Sequence, residues 1–187
     1  MNNNLKNLFL SINKDNGRML NDLIEIDVIK LKDAVKEADT ECIYNIARSV
    51  NGDIAEILLN QLVEMQSFEY VGEMLLMVKN NQKIENMTSL EIYAINHIDM
   101  LLDTMSNCTD LTLLRRICSN SEVPFIINFL NNLIDKLEVR NDLASLDEKD
   151  QLLYLTNLYY EGDFAAIIEN RDIFSKLFND EEEITRK

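Results

Sequence analysis

The chain has 187 residues, 47% hydrophobic and 27% charged, with 33 acidic against 18 basic side chains and a net charge of −15; it can bury a core but opposes binding to a nucleic-acid backbone or an anionic membrane. Four glycines and one proline leave no glycine-rich phosphate loop and little turn chemistry for an all-β fold. One histidine and three cysteines cannot furnish a histidine-based metal or hydrolase centre, so the composition implies no cofactor and no enzyme.

Apolar residues recur at helical spacing along nearly the whole chain. Leu20, Ile24, Val28, Leu31 and Val35 predict a helix between Arg18 and Glu37. Ile54, Ile57, Leu58, Leu62 and Met65 predict another, with Asp53 as its N-cap and Glu56 three residues on. Phe68, Val71, Leu75 and Val78 form a third stripe, and Met74 to Met77 is too apolar for one face, so part of it must meet a neighbouring helix. Thr88 and Glu91 form a capping box opening one long helix with Leu90, Ala94, His97, Ile98, Leu101 and Met105 inside. That position makes His97 a buried, hydrogen-bonded structural histidine. Pro124 stands before the run Phe125 to Leu137, where a first-turn proline loses no intrahelical bond. Ser145 and Glu148 cap a segment reaching Tyr160, and Asp163 opens a last pair.

Cys42, Cys108 and Cys118 are odd in number, without a C-x-x-C pair, and sit in apolar surroundings; they read as buried small hydrophobes of a reducing compartment. With no leader-like apolar segment and no membrane span in the sequence, the expectation is a cytoplasmic protein. The tracts Asp147 to Asp150 and Asp180 to Glu183 read as solvated charge, since neither has metal-ligand spacing.

The sequence also echoes itself. Glu56 to Glu64 is similar to Ile127 to Asp135 at an offset of 71, each after a shorter helix, 41–50 and 110–118. Asn51-Gly52-Asp53-Ile54-Ala55 returns as Glu161-Gly162-Asp163-Phe164-Ala165 at an offset of 110. The stretch Leu155 to Ile167, with Tyr159-Tyr160 before Gly162-Asp163 and small Ala165-Ala166 after, resembles the junction of a tetratricopeptide hairpin, one residue short between the tyrosines and the glycine. The resemblance implies a degenerate HEAT- or tetratricopeptide-like protein. The fold expected is all-α, an irregular array of about ten helices in antiparallel hairpins. It forms one domain over 1–187, with 1–40 as an N-terminal cap and 41–187, which carry 14 of the 15 net negative charges, as an acidic hairpin array.

Two like-charged pairs stand out. Glu69 and Glu73 are four apart on one helix, and Asp99 and Asp103 four apart on the next long one. Such pairs oppose helix formation by roughly 0.2–0.5 kcal/mol each, and no lysine nearby in the sequence neutralises them. Tyr70, Ile92 and Asn96 lie close to them in the chain and offer the aromatic, apolar and amide contacts of an interface. Glu69, Tyr70, Glu73, Ile92, Asn96, Asp99 and Asp103 are therefore the expected partner-binding residues. The partner expected is a basic protein, with no direct contact to nucleic acid or membrane, because negative charge steers and occludes a cationic surface. Small acidic proteins of this kind include immunity proteins that neutralise basic, nuclease-type toxin domains. The alternatives are a DNA-mimicking inhibitor of a restriction or defence enzyme, a helical scaffold or adaptor, and a carboxylate-based pyrophosphohydrolase, whose E-x-x-E and E-x-x-D pairs do not stand at convincing positions here.

Overall fold

The computed structural model describes residues 35–36, 38–50, 52–80, 85 and 87–179. The expected stripe from Leu20 to Leu31, the 1–40 cap but for its last few residues, and the tract Asp180 to Glu183 lie outside them. Among the described residues there are ten α-helices and no strand. They are α1 (Thr40–Ala47), α2 (Asp53–Glu64), α3 (Phe68–Met77), α4 (Ser89–Asn96) and α5 (Ile98–Met105), then α6 (Leu111–Asn120), α7 (Pro124–Ser145), α8 (Glu148–Glu161), α9 (Phe164–Glu169) and α10 (Arg171–Asn179). None of them is long and apolar enough to cross a membrane.

Helix starts fall where a side-chain oxygen meets an orphan backbone N–H. Asp39 accepts from the Cys42 N–H at 2.7 Å, and Asp110 from those of Thr112 and Leu113. The Glu91 N–H donates to Thr88 Oγ1 while the Thr88 N–H donates to Glu91 Oε2, closing the expected capping box. Two expected caps move. Helix α2 is capped by Gly52, with φ 62° and ψ −139°, and Asp53 is its first helical residue. Helix α8 is capped by Asp147, which accepts from Asp150, because Ser145 still belongs to α7.

The helices gather into two compact units that divide at Asn131 and Asn132, within α7. In the first, α1 packs on α2, and α3 is central, touching α2, α4, α5 and α6. That centrality explains the Met74 to Met77 run: Met74 and Leu75 are buried, and Leu76 and Met77 half-buried. The α2 stripe turns from the expected one. Ala55, Leu58, Leu59, Leu62 and Val63 are buried, whereas Ile54 and Ile57 are half-exposed and Met65 is exposed, since α1, α3 and α4 all claim α2 surface. Helices α3 and α6 approach closely at Gly72, where an added Cβ would stand 2.2 Å from Ile117 Cδ1.

The expected long helix from Leu90 to Met105 is broken at His97 (φ −119°, ψ 24°), which ends α4 and begins α5. The break lets α4 bury Leu90, Tyr93 and Ala94 while α5 buries Leu101, Thr104 and Met105 on its own axis. Of the cysteines only Cys108 is buried; Cys42 and Cys118 are half-exposed. Burial raises the thiol pKa of both Cys108 and Cys118, which leaves neither activated as a nucleophile.

In the second unit, Leu143, Leu158, Ile173 and Phe174 form a small core, with Tyr154, Leu155, Ala166, Ile167 and Leu177 packed against it. Helix α8 packs on α9 and α10. The turn between α8 and α9 uses Gly162 at φ 76°, with the Asp163 N–H donating to Leu158 O at 3.0 Å, a Schellman closure that Asp163 follows by capping α9. Gly52 and Gly162 thus both turn through positive φ between packed helices, although their ψ values differ. The other sequence echo differs in packing, because α6 lies chiefly on α3 whereas α1 lies on α2.

Candidate binding surface

The expected partner-binding residues separate into three groups. Glu69 and Glu73 are on α3, one turn apart and partly exposed, but they are not unneutralised. Arg116 of α6 donates through Nη2 to Glu69 Oε1 at 2.8 Å and to Glu73 Oε1 at 3.4 Å. Arg116 adjoins Ile117, the residue that seats on Gly72, so the close approach of the two helices drops a guanidinium between two carboxylates one turn apart. Tyr70 packs inward as well: its ring lies 4.6 Å from that of Tyr44, over which Arg48 stands at 6.0 Å. Burial, then the charges of Glu41, Glu69 and Asp39, raise the Tyr70 hydroxyl above its usual pKa. Tyr70 therefore ties α3 to α1.

Ile92 and Asn96 belong to a different place. Ile92, 39% exposed, and the exposed Asn96 line a cleft of about 170 Å³ with Asp53 and Glu56 of α2 and with Tyr93 and His97. The first turn of α2 and the outer face of α4 form its walls. His97 is not the buried residue expected: its side chain is 33% exposed, with Nε2 3.9 Å from Glu56 Oε1 and its ring 4.5 Å from Tyr93. Released from the stripe by the helix break, it sits at the cleft edge. Tyr93 donates its hydroxyl proton to Asn60 Oδ1 at 2.6 Å. Burial, then the charges of Glu56 and Glu64, push its pKa strongly upward, so the phenol stays neutral and fixed as the apolar wall.

Asp99 and Asp103 lie on α5, beyond the break, exposed and without an ion pair among the described residues. The structure thus groups Glu69 with Glu73 and Ile92 with Asn96, and places the aspartates on a separate helix. Asp53 and Glu56 carry the cleft charge; in the sequence they read as capping residues, and only the fold sets them opposite Ile92 and Asn96.

The second unit has its own hollow of about 320 Å³ along α7 and α9, where Lys136 meets Glu169 at 2.8 Å and Arg140 meets Asp172. It also has an exposed apolar surface that sequence reasoning did not single out. Leu152, Leu153, Tyr159 and Tyr160 of α8 and Phe164 and Ile168 of α9 all face solvent. The spacing of Leu153 and Tyr160, seven apart, was legible as a second stripe. No family model matches the chain, nor does any curated protein or solved structure.

Proposed function

We propose that this chain is a non-enzymatic acidic binding protein that holds a basic protein, and that its role is that of an immunity protein occluding a cationic, nuclease-type toxin domain. The observation that carries the reading is the cleft between α2 and α4, where Asp53 and Glu56 supply negative charge beside the apolar Ile92 and the ring of Tyr93. A lysine or arginine side chain from the partner fits that chemistry. Its stem lies along Ile92 and Tyr93, its charge meets Glu56, and Asn96 supplies an amide at the rim. Asp99 and Asp103, which have no ion pair among the described residues, add charge that speeds encounter rather than holding the complex. A DNA mimic needs an unbroken row of carboxylates, and Arg116 between Glu69 and Glu73 interrupts one; that supports a local patch for a protein partner.

The test is calorimetric titration of the full chain with the basic protein that co-purifies with it at low salt, repeated at about 0.15 M salt. Glu56→Lys, at an exposed position, should weaken binding by about tenfold or more while the melting temperature stays in place. Asp99→Lys together with Asp103→Lys should chiefly slow association. Binding that is indifferent to Glu56→Lys removes the cleft from the interface, and the absence of any basic partner at low salt overturns the proposal.

A further inference from the structure

Helix α8 carries two apolar faces where a surface helix needs one. Tyr154, Leu155 and Leu158 turn inward to the small core of the second unit. Leu152, Leu153, Tyr159 and Tyr160 turn away from it, with Leu153 60% and Tyr160 82% exposed. With Thr156 among them, these positions run i, i+1, i+4, i+7 and i+8, the repeat with which one helix seats another. The surface does not stop at the end of α8. The rings of Tyr159 and Tyr160 meet edge to face at 6.0 Å, those of Tyr159 and Phe164 likewise at 6.0 Å, and Phe164 carries the surface across the Gly162 turn to Ile168 on α9. A contiguous run of aromatic and aliphatic side chains kept in water is unfavourable unless something covers it.

The charges around this run select what that is. Asp147, Glu148, Asp150, Glu161 and Asp163 flank it, against a single Lys149. A second copy would set those carboxylates against themselves, and like charge across an interface costs affinity. A partner with lysines or arginines beside its apolar residues meets them favourably. Fourteen residues of α8 extend about 21 Å, enough for three to four turns of another helix. We infer that the outward face of α8 and α9 is a docking surface for a cationic amphipathic helix of another protein, which adds one more layer to the second unit in the helix-in-groove manner. This surface lies wholly within the second unit and does not depend on the Glu56 cleft.

The chain contains no tryptophan, so the probe is a synthetic helical peptide of about 18 residues with leucines at i, i+3, i+4 and i+7, flanking lysines and one tryptophan as fluorophore. The expected result is saturable binding to the full chain with a blue shift of the tryptophan emission, and binding at least about tenfold weaker when the flanking lysines are glutamates. Leu153→Ser with Tyr160→Ser should lower affinity for the lysine peptide by about tenfold or more, and Tyr160→Ser alone by a smaller factor, with the melting temperature unchanged. Glu56→Lys should leave peptide binding as it was, which keeps this surface distinguishable from the cleft. Equal binding of the two peptides, or of wild type and the double variant, overturns the inference. A concentration-dependent dimer of the wild-type chain that the double variant abolishes overturns it too, by making a second copy the occupant.

Discussion

The two units spend the same helical code differently. The largest fully buried side chains, from Ile43 through Leu59, Met74, Leu101 and Leu114 to Ile126, all precede Asn132. Beyond it, among the described residues, the buried hydrophobic residues reduce to Ile134 and the cluster of Leu143, Leu158, Ile173 and Phe174. Exposure runs the other way: among the described residues nine of the thirteen exposed large hydrophobic ones, from Val139 to Phe178, belong to the second unit. In the first unit α3 touches four other helices and leaves little apolar surface over, whereas in the second α8 meets α9 and α10 on one side and nothing among the described residues covers the other. One region is built as a core and the other as a core with a spare face. Apolar surface that is not needed for folding is what a binding protein has available for a partner.

The widest test of that contrast is truncation of matched leucines. Leu114→Ala removes a side chain with no exposure at the heart of the first unit and should cost about 2–5 kcal/mol in urea denaturation. Leu158→Ala, in a core of only four buried residues, should sit at or below the lower end of that range, because so small a cluster can relax around the cavity. A larger loss at Leu158 than at Leu114 would break the comparison. Gly72→Ala comes next. Its new methyl would meet Ile117 Cδ1 at 2.2 Å, an overpacking cost of about 1–3 kcal/mol set against up to about 1 kcal/mol gained from helix propensity. Ile117→Val deletes the nearer clashing carbon and leaves Cγ1 at 2.9 Å, so the double variant should be more stable than the two single losses sum to.

The smallest effect concerns pH and the second unit alone. Burial acts to raise the Asp172 pKa, but backbone hydrogen bonding at the start of α10 and the Arg140 guanidinium outweigh it and hold the carboxyl below its usual value. A carboxyl with a depressed folded-state pKa contributes stability above its unfolded pKa and loses it as pH falls through the folded value. The contribution is therefore complete at neutral pH and declines below the usual aspartate range. Asp172→Asn should flatten the acid limb of amide-exchange protection in α10 and leave that of α3 and α6 unchanged; a change in all three would join what the comparison separates.

Sequence alone determined that the chain is helical and where most helices begin. Helical spacing of apolar residues and the oxygen-bearing caps at Thr88 and Asp163 are local, and local hydrogen bonding decides them. It also determined the net charge of −15, from which the proposal of a basic partner starts. The tertiary structure decided which carboxylates remain available. Arg116, more than forty residues from Glu69 and Glu73, neutralises them because Gly72 lets α6 come close, and no window of sequence contains that contact. The break at His97 is likewise a tertiary feature: α4 buries Leu90, Tyr93 and Ala94 and α5 buries Leu101, Thr104 and Met105, although their spacing alone suits one continuous helix. Which of the two apolar faces of α8 would be covered was equally open, because periodicity shows that a face is apolar and only packing assigns it a neighbour.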